Sequence, residues 1–174
     1  MNATPGAVEA ARRLLATGHS CILDCESTGL DGSIVEIAVI AADTGAVLFD
    51  ELVNPDGVGI EAEARAVHGI SDKDLAGART WPQVFPDLVD AIGSRRILAY
   101  SAKFDRARII HDCKRFGIDA ATVANEARWG CLMELRSDAH GSDTRLRLDG
   151  GHRALGDVLA AREVLRSIAD GVAA

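Results

Sequence analysis

Two acids, Asp24 and Glu26, interrupt an otherwise apolar run, Cys21-Ile22-Leu23-Asp24-Cys25-Glu26, and Ser27-Thr28-Gly29-Leu30 follows directly. The stretch from His19 to Glu26 contains neither Pro nor Gly and predicts a β-strand. Side chains alternate along a strand, so Asp24 and Glu26 share one face and Cys21, Leu23 and Cys25 the other. Two carboxylates on one face repel each other and are costly to bury. A divalent cation between them removes that cost, and Mg²⁺ prefers oxygen ligands. The same pattern also fits an edge strand carrying two solvated acids. In the turn that follows, Gly29 has no Cβ, so a ligand can come close to the backbone.

Three more residues could join such chemistry. Asp105 falls in the first turn of an expected helix, where the helix dipole favours an acid whatever its function. Asp157 sits beside apolar Val158 in the last expected helix, and also reads as an exposed helix acid. His152 follows Gly150-Gly151 just before that helix. It reads as a loop histidine, or as a base, since neutral imidazole accepts a proton near pH 7.

The elements that must position these residues follow from periodicity and turn signals. A helix is expected over residues 6–17, stopped by Gly18. Strands over 19–26, 33–42 and 46–53, joined by short Asp-Gly and Asp-Thr-Gly turns, make an antiparallel meander ended by Asn54-Pro55. Short helices are expected over 61–68 and from Ser71, where Ser71 and Asp74 form a capping pattern. An amphipathic helix runs from Trp81 to Ile92, with Pro82 in its first turn and a kink expected at Pro86. Beyond it come a strand over 96–100, a helix over 103–116, a strand over 128–133, a polar Gly-rich loop over 140–151 and a helix over 153–169. A meander followed by strand–helix alternation predicts an α/β fold: a mixed five-stranded sheet covered by helices, with strands one, four and five parallel. The whole chain, 1–174, reads as one domain.

Composition narrows the classes. Hydrophobic residues make up 48% and charged residues 26%, ordinary for a soluble globular protein. No apolar run approaches a membrane span, and no apolar segment precedes Arg12-Arg13 to form a signal peptide, so no membrane partner and a cytoplasmic location are expected. The four cysteines form no Cys-x-x-Cys and read as reduced thiols. A net charge of −7 argues against non-specific wrapping of duplex nucleic acid, which needs a basic surface.

In order along the chain stand Asp-x-Glu-x-Thr-Gly-Leu from Asp24, a small-residue strand end running into Phe104-Asp105, and His-Arg-Ala-Leu-x-Asp from His152 to Asp157. This order resembles the DEDDh 3′–5′ exonucleases, the superfamily of proofreading exonucleases and ribonuclease T. Val67-His68-Gly69-Ile70-Ser71 and Trp129-x-Cys131 match further family segments, and the resemblance covers about residues 19–170. It implies a ribonuclease H-like, three-layer α/β/α fold and metal-dependent release of nucleoside 5′-monophosphates from 3′ ends of single-stranded DNA or RNA. Asp24, Glu26, Asp105 and Asp157 are then the carboxylates for two divalent cations, Mg²⁺ or Mn²⁺, and His152 is the general base. Ser27, Thr28, Gly29 and Leu30 would hold the 3′-terminal nucleotide. Phe104 would be a neighbouring contact or a core residue. Ser101 occupies a substrate-contact position where Asn is more usual, and Ser27 stands where Thr is usual. Arg153, Lys103 and Arg106 are candidates for steering phosphate. The short stretch between Trp129 and His152 is expected to lack the apolar helix that many members carry there. No tail to tether a polymerase is visible, and a homodimer is compatible with the sequence. A phosphodiesterase for dinucleotides, or a catalytically silent module that binds nucleic-acid ends, would share most of these features.

Overall fold

Strand β1 (Ser20–Ser27) occupies the middle of a six-stranded sheet in the computed structural model, which describes residues 1–173. On one side lie β2 (Ile34–Ala41), β3 (Val47–Asn54) and β4 (Arg79–Thr80); on the other, β5 (Arg96–Ala99) and β6 (Trp129–Cys131). β1 pairs antiparallel with β2, and β2 with β3, which is the expected meander. β1, β5 and β6 pair parallel. The sheet therefore has six strands rather than five. The additional strand, β4, pairs two residues, Arg79 and Thr80, with Val53 and Asn54 at the sheet edge. Two residues are too few to carry an alternation signal.

Every residue of β2 is buried, as expected for a strand covered on both faces. One face carries α4 (Trp81–Ile92) and α5 (Ala102–Arg115), which pack Trp81, Leu88, Ile92 and Ile109 against Cys21, Leu23 and Cys25. The opposite face carries α1 (Pro5–Leu14), α7 (Leu132–His140) and α8 (Ala154–Ala169), whose Ala11, Leu132, Val158 and Leu165 meet Ile22, Ala38 and Ile40. The alternation along β1 thus sends Asp24 and Glu26 to the α8 side and their apolar neighbours to the α5 side. The result is the three-layer α/β/α arrangement.

Helices α2 (Ala62–His68) and α3 (Asp72–Leu75) follow the meander, and the Ser71–Asp74 capping box is present. Pro86 does not interrupt α4: the helix runs unbroken, with Pro86 on its exposed side. α1 ends at Leu14, three residues short of the expected end, because residues 15–18 form a turn before β1. A four-residue helix, α6 (Ala121–Ala124), precedes β6. The main departure is α7. The segment between Trp129 and His152 is expected to lack the apolar helix many members carry there; a helix, Leu132–His140, does form and closes on Gly141 in the left-handed conformation. Only Leu132, Ser137 and Ala139 of α7 are buried, so its apolar periodicity is too thin to read from sequence. None of the four cysteines is in a disulfide, and three are buried.

Candidate active site

Alternation on β1 and the first turn of α8 bring Asp24, Glu26 and Asp157 together. Each offers a carboxylate oxygen, and these oxygens lie within 4.8 Å of one another. Three all-oxygen donors from two elements fit a hard divalent cation. Electrostatics agree. Burial holds the Asp24 carboxyl well above its ordinary range, and the charges of Asp105, Glu26, Asp157 and Glu36 push it the same way. Glu26 rises from 4.5 to about 7 through burial, then through Asp157, Glu36 and Asp105, with Arg153 opposing. Burial also raises Asp157, while the His152 backbone N–H, donating to Asp157 Oδ1 at 3.1 Å, acts in the opposite direction. These groups lack the positive charge that would let all of them ionise, and a bound cation supplies it.

Asp105 is placed differently. It is 2% exposed on α5, outside the close trio, and its Oδ1 accepts the Cys25 backbone N–H at 3.1 Å. Burial raises its pKa, and the Cys25 hydrogen bonds oppose the shift. It thus ties α5 to β1 between the two strand acids and adds charge to the cluster. His152 is exposed beside Asp157, with φ 57°, a left-handed conformation unusual for a residue with a side chain. Gly150 packs so closely beside it that a Cβ there would lie 2.1 Å from Asp157 Oδ1 and 2.8 Å from Asp157 Cα.

Beyond the carboxylates, β1 ends in a register shift between Glu26 and Ser27, a bulge that redirects the chain into the turn from Thr28 to Ser33. Ser27 Oγ donates to the Gly29 carbonyl at 2.7 Å, and the Ser33 N–H donates to Thr28 Oγ1 at 3.0 Å. The turn is braced from inside by Ser27 and Thr28, both buried, while Leu30 is 82% exposed. Glu26, Ser27, Gly29, Leu30, Phe104 and His68 are among the residues lining a cavity of about 450 Å³, within the range of small-ligand sites. Glu61 closes over Gly29, where a Cβ would lie 2.3 Å from the Glu61 carboxyl carbon, so a larger residue there would have to displace the Glu61 side chain. Ser101 is exposed at the start of α5 and does not line this cavity. A larger concavity of about 620 Å³ lies between α1 and α7, away from the trio.

Sequence reading gave no role to two residues that shape this site. His68 is buried, with Nδ1 accepting the Ile70 N–H at 3.0 Å, so Nε2 carries the hydrogen and donates to the Ser27 carbonyl at 3.2 Å. Burial lowers its pKa, which favours this neutral form. Glu36 on β2 stands opposite Glu26 and is buried in a grip by Arg153 and the start of α8. Its signal was an acid inside the apolar run Ile34-Val35-Glu36-Ile37. Of the three candidates for steering phosphate, Arg153 pairs with Glu36, and Arg106 donates to the Ala124 carbonyl and faces Glu126. Lys103 is exposed.

The RNase_T family model, described as an exonuclease, matches residues 21–165. The chain belongs to this exonuclease family. An uncharacterized exonuclease, CP81 of Escherichia phage 186, is 29% identical over 174 residues, covering 87% of this chain and 89% of the relative. Among solved structures, Exonuclease X in complex with 5′ overhanging duplex DNA is 26% identical, with a TM-score of 0.57 over 88% of this chain and 96% of that one. The nuclease domain of 3′hExo, a DEDDh family member bound to rAMP, has a TM-score of 0.62 at 18% identity, over 90% of this chain and 96% of that one, and shares the fold. This family member is a nuclease of the ribonuclease H-like fold with an acidic, metal-binding cluster. Among its described residues, no helix is long and apolar enough to cross a membrane.

Proposed function

We propose that the protein hydrolyses the terminal phosphodiester at 3′ ends of single-stranded DNA or RNA, releasing nucleoside 5′-monophosphates. The observation that carries this reading is the trio Asp24, Glu26 and Asp157, of which Glu26 also lines the cavity beside Gly29 and Leu30. Asp24, Glu26 and Asp157, with Asp105 behind them, would hold two divalent cations, Mg²⁺ or Mn²⁺. When bound, the cations supply charge to activate water and to stabilise the leaving 3′ oxygen. The residues of the chain do the rest. The apolar surfaces of Leu30 and Phe104, on the cavity that Gly29 and Glu61 also line, receive the terminal nucleotide. His152, exposed beside Asp157, takes the proton from the attacking water. The His68 link to the Ser27 carbonyl keeps the floor of the cavity next to Glu26.

Of the two similar structures named above, Exonuclease X is in complex with 5′ overhanging duplex DNA and the 3′hExo nuclease domain is bound to rAMP. The test uses the purified protein with 5′-labelled DNA and RNA oligonucleotides in Mg²⁺, Mn²⁺ or EDTA. Laddering from the 3′ end in metal and none in EDTA is expected, and Asp24→Asn should lose at least about 10³-fold in rate. Full activity in EDTA would overturn the site. Cleavage of dinucleotides but not of longer strands would assign the small-substrate activity instead. Binding of ends without cleavage in any metal would assign a silent module.

A further inference from the structure

Glu36 is the one acid in β2, a strand with no exposed residue. It is 5% exposed, faces Glu26 across the antiparallel register and stays outside the close trio. A buried carboxylate needs partners, because one left unpaired costs more than most single interactions supply. Glu36 has them. Arg153 Nε donates to both of its oxygens at 3.0 Å, and Arg153 Nη2 donates to Oε1. The Ala154 backbone N–H donates to Oε2 at 2.9 Å. Ala154 opens α8, which has no side-chain cap from its own N-cap residue, so a strand carboxylate caps the helix instead.

Arg153 lies between His152 and α8, and the same stretch of chain is held at a second place. Tyr100 Oη donates to the Leu146 carbonyl at 3.0 Å, and Arg136 donates to Tyr100 Oη at 2.8 Å and to the Arg147 carbonyl at 3.2 Å. Between the two anchors run residues 148–152, with Gly150 and Gly151 in the middle and His152 at the end. The Glu36–Arg153 pair is the anchor adjoining His152, and α8 carries Asp157 one turn further on.

We propose that Glu36 and Arg153 are positioning residues that set where His152 and Asp157 stand against Asp24 and Glu26, and that Arg153 acts by neutralising Glu36 and not by holding phosphate. This rests on the catalytic reading of His152 and the carboxylate trio. Arg153 removed alone leaves a charged, buried Glu36 beside three other acids and frees the start of α8. With both charges removed, the helix loses its anchor but the added repulsion is gone. The two substitutions are therefore non-additive in a definite direction.

The test compares wild type, Arg153→Ala, Arg153→Lys, Glu36→Gln and the double variant Glu36→Gln/Arg153→Ala, using a 3′-end hydrolysis assay and hydrogen exchange of the metal-free proteins. Arg153→Ala should lower kcat by about 10–100-fold with KM within about threefold, the usual weight of a residue that orients a ligand to metal. The double variant should be faster than Arg153→Ala, and Arg153→Lys should recover part of the rate. In the metal-free proteins, amides 148–157 should exchange faster in Arg153→Ala than in wild type. A rise in KM at constant kcat, the same whether residue 36 is Glu or Gln, would show a phosphate contact and overturn the proposal. Unchanged exchange over 148–157 would also overturn it. Should no variant and no wild-type sample hydrolyse any 3′ end, the catalytic reading fails, and the exchange data still decide whether the pair anchors this segment.

Discussion

Glu26→Gln removes one charge from the trio while keeping the shape of the side chain, and the structure says which way stability should move. The Glu26 carboxyl is raised from 4.5 to about 7, first by burial and then by Asp157, Glu36 and Asp105. The native state therefore holds the Glu26 proton more tightly than the unfolded chain does. Its contribution to stability is fully present below about 4.5 and is lost as pH rises through about 7. The whole interval is worth about 3.4 kcal/mol at 1.36 kcal/mol per pH unit. Glu26 keeps partial access to solvent, which reduces this to roughly 1.7 kcal/mol. Glutamine does not titrate, so in EDTA at pH 8 the variant should melt higher than wild type by roughly 3–6 °C for a chain of this size. At pH 5 most of the difference should vanish, because native Glu26 is still protonated there. Magnesium should reverse the order: at a hundredfold excess over its Kd it adds about 2.7 kcal/mol to whichever protein binds it, and wild type binds it better. The assay is a thermal melt by circular dichroism at pH 5, 6.5 and 8, in EDTA and in Mg²⁺. If wild type melted higher than Glu26→Gln in EDTA at pH 8, or if the gap failed to narrow toward pH 5, Glu26 would be held by a favourable partner and the repulsive cluster would be wrong.

Other substitutions probe the mouth of the site. His152→Ala should lose about 10²–10⁴ in kcat while calorimetric Mn²⁺ affinity stays at the wild-type level; loss of metal binding would make His152 a ligand and not a base. Gly150→Ala places a methyl 2.1 Å from Asp157 Oδ1, so it should weaken metal binding by about 10–100-fold. Gly151→Ala meets nothing within 4 Å but sits at φ 85°, so it should lower the melting temperature with less effect on metal, and equal metal affinities for the two variants would refute the packing of Gly150 on Asp157. Single-stranded 3′ ends should be cut roughly tenfold faster than blunt duplex of the same sequence at equal salt, since opening a stacked step costs about 1.4 kcal/mol and the net charge is −7. Equal rates would show that the protein itself supplies the melting energy.

Much of this site was legible along the chain, because strand alternation and helix starts are local. The two-residue spacing of Asp24 and Glu26 put both acids on one face, with Cys21, Leu23 and Cys25 opposite, and the folded sheet keeps that division. The order of the three motifs pointed to the exonuclease family, which the family comparison supports over residues 21–165. The short elements were not legible. β4 has two residues, and α7 shows too few buried positions to announce a helix.

What depended on tertiary structure was partnership across long sequence separations. Asp24, Glu26, Asp105 and Asp157 read alike as carboxylates, yet they arrive differently: oxygens of Asp24, Glu26 and Asp157 lie within 4.8 Å of one another, while Asp105 acts on Asp24 from the α5 side. Asp105 approaches through α5 and spends an oxygen on the Cys25 backbone, because α5 and α8 pack on opposite faces of β1. Arg153 read as a free cation near phosphate; folding pairs it with Glu36, 117 residues away. Local sequence sets which face a side chain occupies and where a helix can begin. Whether a buried charge survives there depends on a partner that only the packed sheet and helices bring within hydrogen-bond reach.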